Sequence, residues 1–224
     1  MEKTFKFMAL LAMGVALAFA ACGTGTETAE WVDLGLPSGL LWAACNLGAS
    51  SPEEYGDYYA WGETTTKEVY NWSTYKYCNG DHGQLTKYCN NSSCGYNGFT
   101  DNLTTLEAMD DAATQKFGSG ARMPTKAEWK ELINNTIAEW TTQNGVNGRK
   151  FTAFNGKSLF LPAAGYRWDG ELDYAGENGN YWSSSLNESY PGSAWYFYFD
   201  SDDQLMHGSY RYFGQSVRPV RSAR

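Results

Sequence analysis

The stretch from Ala194 to Asp200 alternates two kinds of side chain, and this pattern constrains the fold more than any other feature of the chain. One set of alternate positions is aromatic and apolar: Trp195, Phe197 and Phe199. The other set carries polar tips: Tyr196, Tyr198 and Asp200. Neighbouring residues of a β-strand point to opposite sides, so the pattern predicts a strand with one face in the core and the other turned outward.

The outward side of this strand belongs to a longer segment, from Tyr181 to Arg221, that we expect to contact a ligand. This segment is rich in Tyr, Ser, Gly and Asp, the composition of antibody combining sites, where rigid Tyr rings supply contact area and small polar residues adapt to the ligand. The candidate ligand-binding residues are Tyr190, Ser193, Tyr196, Tyr198, Asp200, Asp202, Asp203, Leu205, His207, Ser209, Tyr210, Tyr212 and Phe213.

The rest of the chain predicts short elements separated by long loops. An opening hairpin is expected from Trp31 to Asn46, around a Pro-Ser-Gly turn. Thr104-x-x-Glu107 and Thr125-x-x-Glu128 are capping boxes that begin two short amphipathic helices. We expect the first helix to end at Gly118 and the second near Asn135.

Further strands are expected between the second helix and the C-terminal segment. Two Asn-Gly turns, Asn144-Gly145 and Asn147-Gly148, predict a hairpin that pairs residues 140–142 with residues 149–154. Another strand is expected from Leu159 to Leu161. Residues 71–99 and 166–180 are expected to be loops. A hairpin, two helices and several short strands predict an α+β domain over residues 31–224.

The N-terminus has the pattern of an export signal. Lys3 and Lys6 precede an apolar run from Phe7 to Ala21, and small residues lead to Cys22. The junction resembles a bacterial lipobox, which implies cleavage before Cys22 and lipidation of its thiol, although Phe19 stands where Leu is usual. Residues 1–21 would then be a signal peptide and residues 22–30 a flexible tether, with simple secretion or an uncleaved anchor as alternatives.

Cys45, Cys78, Cys89 and Cys94 would face an oxidising compartment in an exported protein. We therefore expect at least one disulfide among them, stapling the long loop, and the sequence does not rank the three pairings. The Cys89-x4-Cys94 spacing is half of a zinc site without a second half, so no metal is expected there.

Several functions are excluded by the residues. A net charge of −8 without a basic patch argues against nucleic-acid binding. The chain has two histidines, His82 and His207, and no Gly-x-Ser-x-Gly motif for acyl transfer. Asp202-Asp203 is better interpreted as a solvated acidic turn than as an acid–base pair. We expect neither an enzyme nor a cofactor.

A set of motifs in order carries a family resemblance. They are SGLLWAACNLGASSPEEYGDYYAWGE, ARMPTKAEWKEL, LFLPAAGYR, YWSSS and GQSVRPVR. Together they resemble the Fibrobacter succinogenes major paralogous domain family over residues 31–221. The resemblance implies an exported bacterial protein with a C-type-lectin-like fold, akin to formylglycine-generating enzymes and to the variable proteins of diversity-generating retroelements.

The resemblance does not extend to the enzymes' chemistry or to calcium-dependent sugar binding. No cysteine follows Cys94, so the late redox-active pair of formylglycine-generating enzymes is missing. Glu-Pro-Asn, Gln-Pro-Asp and Trp-Asn-Asp signatures are also absent, and the run from Asp200 to Asp203 lacks the spacing of a calcium loop.

Kinship with retroelement-diversified proteins implies that part of the outward face varies. Mutation of adenines in Asn codons reaches Tyr, Ser, Asp, Gly, His, Phe and Leu but not Trp, Gln or Met. The positions that carry reachable residues are Tyr190, Gly192, Ser193, Tyr196, Tyr198, Asp200, Asp202, Asp203, Leu205, His207, Gly208, Ser209, Tyr210 and Phe213. Trp195, Gln204 and Met206 would be fixed scaffold.

These observations predict a lipid-anchored envelope protein, expected at the outer membrane and exposed at the cell surface, whose C-terminal face binds an extracellular protein or glycan. A structural or assembly component of the envelope, docking a protein subunit through the same face, is the alternative.

Overall fold

A computed structural model describes residues 30–118 and 120–223. The expected signal peptide, Cys22 and residues 23–29 of the expected tether lie outside the described residues.

Short strands dominate the described chain. They are β1 (Trp31–Asp33), β2 (Leu40–Ala43), β3 (Tyr58–Tyr59), β4 (Ala121–Arg122), β5 (Thr136–Gln143), β6 (Val146–Ala153), β7 (Ser158–Pro162), β8 (Tyr166–Trp168), β9 (Glu171–Asp173), β10 (Gly179–Leu186), β11 (Ser193–Phe199), β12 (Gln204–Tyr210), β13 (Gln215–Ser216) and β14 (Val220–Ser222). The α-helices are α1 (Ala112–Phe117) and α2 (Lys126–Asn134). Single 3-10 turns lie at Trp72–Thr74, Tyr96–Gly98 and Ala108–Asp110.

The strands form four separate sheets, and the expected α+β, C-type-lectin-like class is wrong. The sheets have the orders β1-β2-β14-β4, β12-β11-β10-β13-β3, β5-β6-β7 and β8-β9. Strands take up 37% of the structure and helices 12%, so the protein is mostly β, and the arrangement does not identify a C-type-lectin-like domain.

The two sides of the five-stranded sheet pack against two different cores. Tyr181, Phe197 and Phe199 lie on one side, in a cluster with Trp129 of α2 and Phe151 of β6. On the other side, Trp182 and Ala194 join a cluster that includes Trp61 and many buried tyrosines. Both faces of β11 are therefore at least partly covered.

Only the second of the two expected helices begins at its capping box. At α2 the Thr125 side chain accepts from the Glu128 amide and the Glu128 side chain accepts from the Thr125 amide, as expected. The helix expected from Thr104 is wrong over its first half. The Leu106 amide donates to Ser184 O, and the Leu186 amide donates to Thr104 O, so this backbone pairs with β10 instead. Helix α1 begins later, capped by Asp111.

The predicted hairpins are largely confirmed. Strands β1 and β2 pair antiparallel, and β5 and β6 pair along their whole length around Asn144-Gly145, where both residues have positive φ. Asn147-Gly148 lies inside β6 and is not a turn. The expected loop 166–180 is wrong in part, because β8 and β9 form a small hairpin there.

The long segment 71–99 carries no disulfide of the expected kind. Cys78, Cys89 and Cys94 are free thiols, so none of the pairings expected among the four cysteines forms. The segment is held instead by Arg211, which is fully buried and donates to the backbone oxygens of Lys87 and Tyr88. A buried guanidinium supplies several directed donors and so fixes backbone that has little regular structure of its own.

Candidate functional site

The β11–β12 hairpin carries most of the predicted face. The two strands pair antiparallel over seven residue pairs, from Ser193↔Tyr210 to Phe199↔Gln204. Strand β12 is the outer strand of its sheet and its residues are exposed or half-buried, as expected for an edge strand. The predicted alternation is confirmed from Tyr196 to Phe199, where Phe197 and Phe199 are buried while Tyr196 and Tyr198 are more exposed. It fails at the start of the strand, where Ala194 is buried and Trp195 is half-buried.

Asp200 organises the turn between these strands. Its Oδ1 accepts from the amides of Asp202 and Asp203, both at 2.8 Å, and its Oδ2 accepts from the Tyr198 hydroxyl at 2.8 Å. The Asp203 amide is the main reason that the pKa of Asp200 lies below its ordinary value. Burial, and then the bond to Asp200, raise the pKa of Tyr198 to about 12. This end of the hairpin is therefore internally bonded, and Asp200 and Tyr198 have structural partners.

The face is less open at its centre than the sequence predicts. Tyr196 and Tyr198 are half-buried, and Tyr196 packs beside Trp182 in the second core. Trp195 is also half-buried rather than core, with the Lys126 ammonium 2.9 Å from its ring centroid. The expectation that the apolar side of the strand lies in the core is confirmed for Phe197 and Phe199 and is wrong for Trp195.

A cleft of about 690 Å³ opens at the other end of the hairpin, where β11 begins and β12 ends. Its lining residues are His82, Asn91, Cys94, Ser189, Tyr190, Pro191, Gly192, Ser193, Gly208, Ser209, Tyr210 and Phe213. The volume is in the range of small-molecule binding sites. We call this the hairpin cleft.

An aromatic cluster supports one wall of the hairpin cleft. Tyr210 stacks with Tyr212 at 5.8 Å between ring centroids, and Tyr212 contacts Phe213 at 4.6 Å. Trp72 meets Tyr210 edge-on at 5.9 Å and Tyr212 at 5.0 Å. Tyr210 remains 51% exposed while its neighbours hold it, so the ring is a preorganised contact.

The candidate ligand-binding residues therefore divide into groups instead of forming one surface. Those that line the hairpin cleft are Tyr190, Ser193, Ser209, Tyr210 and Phe213. Those further along the hairpin and at its turn are Tyr196, Tyr198, Asp200, Asp202, Asp203, Leu205 and His207. Tyr212 is buried beneath Tyr210 and acts as support rather than contact.

The opposite wall of the cleft was missed by the sequence analysis. His82, Asn91 and Cys94 come from the segment 71–99, which has no periodicity to place it. The His82 ring nitrogen Nδ1 lies 2.8 Å from the Asp81 carboxylate, and the ring lies 6.3 Å from Trp72. A Trp, a His and an Asn within one irregular stretch are the only signal that the sequence offers.

Aromatic rings continue from the cleft to the β8–β9 hairpin. Phe213 contacts Tyr166 at 5.2 Å and Trp168 at 6.5 Å, and Tyr166 stacks with Tyr174 at 5.8 Å. Trp168 and Tyr174 are about half exposed. Tyr166, Trp168 and Tyr174 were also missed by the sequence analysis, and they extend the exposed aromatic surface beyond the C-terminal segment.

The hairpin cleft offers exposed rings, hydroxyls, the Asn91 amide, the His82 imidazole and the Cys94 thiol. Among residues 30–118 and 120–223, no group of three or more His, Cys, Asp or Glu side chains is placed to hold a metal ion. No helix in that part of the chain is long and apolar enough to cross a membrane.

Comparison of the chain with protein-family models, curated proteins and solved structures finds no match.

Proposed function

We propose that this chain is an exported, non-enzymatic binding protein that holds an extracellular ligand in the hairpin cleft. One observation carries the proposal: Tyr210 is half exposed at the cleft while Tyr212, Phe213 and Trp72 fix its ring. A rigid exposed ring beside hydroxyl and amide groups is an arrangement that binding sites commonly use.

A glycan suits this cleft better than a protein segment. The exposed ring faces of Tyr190 and Tyr210 offer stacking surfaces, while Ser193, Ser209 and Asn91 supply neutral donors and acceptors. No carboxylate, Lys or Arg lines the cleft among the described residues, so a neutral, hydroxyl-rich ligand meets no uncompensated charge there.

The proposal includes attachment to the cell envelope through a lipid on Cys22, with display at the outer surface. It rests on the charged N-terminus, the apolar run and the lipobox-like junction. In a Gram-negative host the protein should partition into detergent and incorporate labelled fatty acid. Both should be lost in Cys22→Ser, and fatty-acid uptake that persists in the variant would exclude this anchor.

The function is tested by applying the purified domain to a glycan array, alongside Tyr210→Ala and a matched variant, Tyr174→Ala. Tyr174 is an equally exposed tyrosine that does not line the cleft. We expect the wild type and Tyr174→Ala to retain the same glycans, and Tyr210→Ala to lose them while it remains folded in a thermal unfolding measurement. Retention by Tyr210→Ala equal to wild type would exclude the cleft as the binding site.

An assembly role in the envelope is the second candidate function, favoured by the edge strand β12. No described strand pairs with its outer side, and an exposed strand edge is a surface on which another chain can add a strand. Retention of one envelope protein, with no glycan bound and no effect of Tyr210→Ala, would favour this role.

A further inference from the structure

A second cleft, of about 620 Å³, lies between residues 66–70 and the β8–β9 hairpin. Its lining includes Asp57, Tyr58, Thr66, Tyr70 and Arg167, and it shares no lining residue with the hairpin cleft. Arg167 lies between Tyr166 and Trp168 in β8, so its side chain points to the side of the hairpin away from those rings. We call this the Arg167 cleft.

Arg167 differs from Arg122, Arg149, Arg211 and Arg218 in the partners of its guanidinium group. Arg122 pairs with a carboxylate, whereas Arg149, Arg211 and Arg218 each donate to two or more oxygens. The Arg167 guanidinium makes neither a hydrogen bond nor an ion pair with any residue in the described parts of the chain. The guanidinium carbon lies 5.3 Å from the centre of the Tyr58 ring. Its five donors are therefore available to a ligand.

Backbone hydrogen bonds to Gly214 fix the position of Arg167. Its amide donates to Gly214 O at 2.7 Å, and the Gly214 amide donates back to Arg167 O at 3.0 Å. A Cβ at Gly214 would lie 2.8 Å from the Tyr70 ring, so only glycine allows this close approach. The Tyr58 hydroxyl donates to Ala164 O and the Tyr70 hydroxyl to Tyr58 O, both at 2.6 Å. The aromatic floor under the guanidinium is therefore rigid.

The other polar groups of the cleft determine which anion fits. Lys67 also lines the cleft, but its ammonium is held by Glu63 at 2.9 Å and by Thr74 O at 3.0 Å. The Asp57 carboxylate accepts one hydrogen bond, from the Tyr59 hydroxyl at 3.1 Å. Glu68, a second carboxylate of the lining, and Thr66 are both exposed. A ligand with several anionic groups would be repelled by Asp57 and Glu68, so a single carboxylate placed on Arg167 fits best, whereas hydroxyl groups would donate to the two carboxylates.

We propose that the Arg167 cleft binds an acidic sugar, with the sugar carboxylate on the Arg167 guanidinium and sugar hydroxyls on Asp57 and Thr66. A planar guanidinium binds a carboxylate through two parallel hydrogen bonds, and this pairing is stronger than a neutral hydrogen bond. The site is separate from the hairpin cleft, and it would stand even if that cleft bound nothing.

The test is a calorimetric titration of the purified protein with sodium glucuronate, and with glucose as the neutral comparison. We expect glucuronate to bind and glucose to bind at least about tenfold more weakly, since glucose lacks the carboxylate. Arg167→Gln should weaken glucuronate binding by about tenfold or more. Lys150→Gln, which removes one positive charge from an exposed position on β6, should bind as the wild type does.

Arg167→Lys separates loss of binding from a folding defect. It keeps the positive charge but loses the planar guanidinium that binds a carboxylate through two hydrogen bonds. We expect it to bind glucuronate more weakly than the wild type at an unchanged unfolding temperature, and Tyr210→Ala to bind glucuronate normally. The proposal is overturned if the wild type does not bind glucuronate, if glucose binds equally well, or if both Arg167 variants bind glucuronate as the wild type does.

Discussion

Arg211 donates a 3.0 Å hydrogen bond from Nη1 to the carbonyl oxygen of Tyr88, which joins the end of the β11–β12 hairpin to the segment 71–99. The same guanidinium donates to the Tyr75 hydroxyl and to the oxygens of Lys87 and Pro191, all at 2.9 Å. Because these bonds connect both walls of the hairpin cleft, the shape of the cleft depends on one buried cation.

Replacement of Arg211 by Met should therefore destabilise the protein and loosen the segment 71–99. The change leaves several buried oxygens without donors, so we expect a loss of unfolding free energy on the order of 3 kcal/mol. Urea unfolding measures the loss, and hydrogen exchange should show faster exchange in residues 71–99. The matched variant Arg122→Met breaks a more exposed ion pair and should cost about 1 kcal/mol or less. Equal losses in the two variants would contradict this account.

The register of β11 makes a second prediction. Phe197 is fully buried against Trp129, so Phe197→Ala should cost about 3 to 5 kcal/mol of unfolding free energy. Tyr198 is half-buried and bonds Asp200, so Tyr198→Ala should cost about 1 kcal/mol. Denaturant unfolding of both variants decides it. A larger loss for Tyr198→Ala would mean that the strand is shifted by one residue.

A third prediction concerns acid stability and Asp110. Burial alone would raise the pKa of Asp110, but bonds from Lys87, Tyr77 and Tyr88 outweigh it and hold the pKa below its ordinary value. A carboxyl pKa that is lower in the folded than in the unfolded state stabilises the fold above the unfolded pKa, near 4. That contribution is lost as pH falls through the folded value.

Asp110→Asn should thus be less stable than wild type at neutral pH by about 1 to 3 kcal/mol, with the difference shrinking below about pH 4. Urea unfolding at a series of pH values measures it. Asp111→Asn is the control of opposite sign, because burial raises the pKa of Asp111. As the pH falls, the unfolding free energy of the wild type should rise relative to that of Asp111→Asn. If the two variants respond to pH in the same direction, the opposite pKa shifts given for Asp110 and Asp111 are wrong.

The free thiols give a fourth prediction, which replaces the expected disulfide. Cys94 lines the hairpin cleft, whereas burial raises the pKa of both Cys78 and Cys89 and lowers their reactivity. Alkylation of the folded protein, purified without reductant, should modify Cys94 first and Cys89 only after unfolding. Cys94→Ser should remove the fast reaction. Failure of Cys78, Cys89 and Cys94 to react after unfolding would contradict the structure.

The sequence predicted what local chemistry determines. The Thr125 capping box, the Asn144-Gly145 turn and the alternation of β11 depend on residues close in the chain. The first two are confirmed, and the alternation is confirmed from Tyr196 to Phe199. The Thr104 capping box failed because Thr104 and Leu106 exchange backbone bonds with β10, a tertiary contact that overrides helix propensity.

The candidate site was predictable only on its C-terminal side. Tyr210 and Ser193 belong to a segment whose composition indicated contact with a ligand. The wall that holds His82 and Asn91 is placed by Arg211 across a separation of more than a hundred residues, and no periodicity in residues 71–99 indicates that placement.

The last prediction concerns sequence variation on the hairpin. None of the positions expected to vary is buried in the structure, although Tyr196 and Tyr198 are half-buried. The buried residues between them, such as Phe197, Phe199 and Arg211, lie outside that set. If the exposed residues vary while the buried residues that hold them stay fixed, the variable positions must lie outside the core, as they do here.

If the segment is diversified, a near-identical repeat carrying Asn codons at these positions should lie downstream of the gene, beside a reverse transcriptase. Sequencing of that region tests the prediction, and the absence of both the repeat and the reverse transcriptase would refute diversification for this copy.

Gly208 tests how much change the fold tolerates at one of these positions. A Cβ there would lie 2.8 Å from Nδ2 of Asn187, a buried residue. Gly208→Tyr should therefore lower stability more than Ser209→Tyr, because position 209 already carries a Cβ. Equal tolerance at the two sites would mean that the Asn187 side chain moves aside.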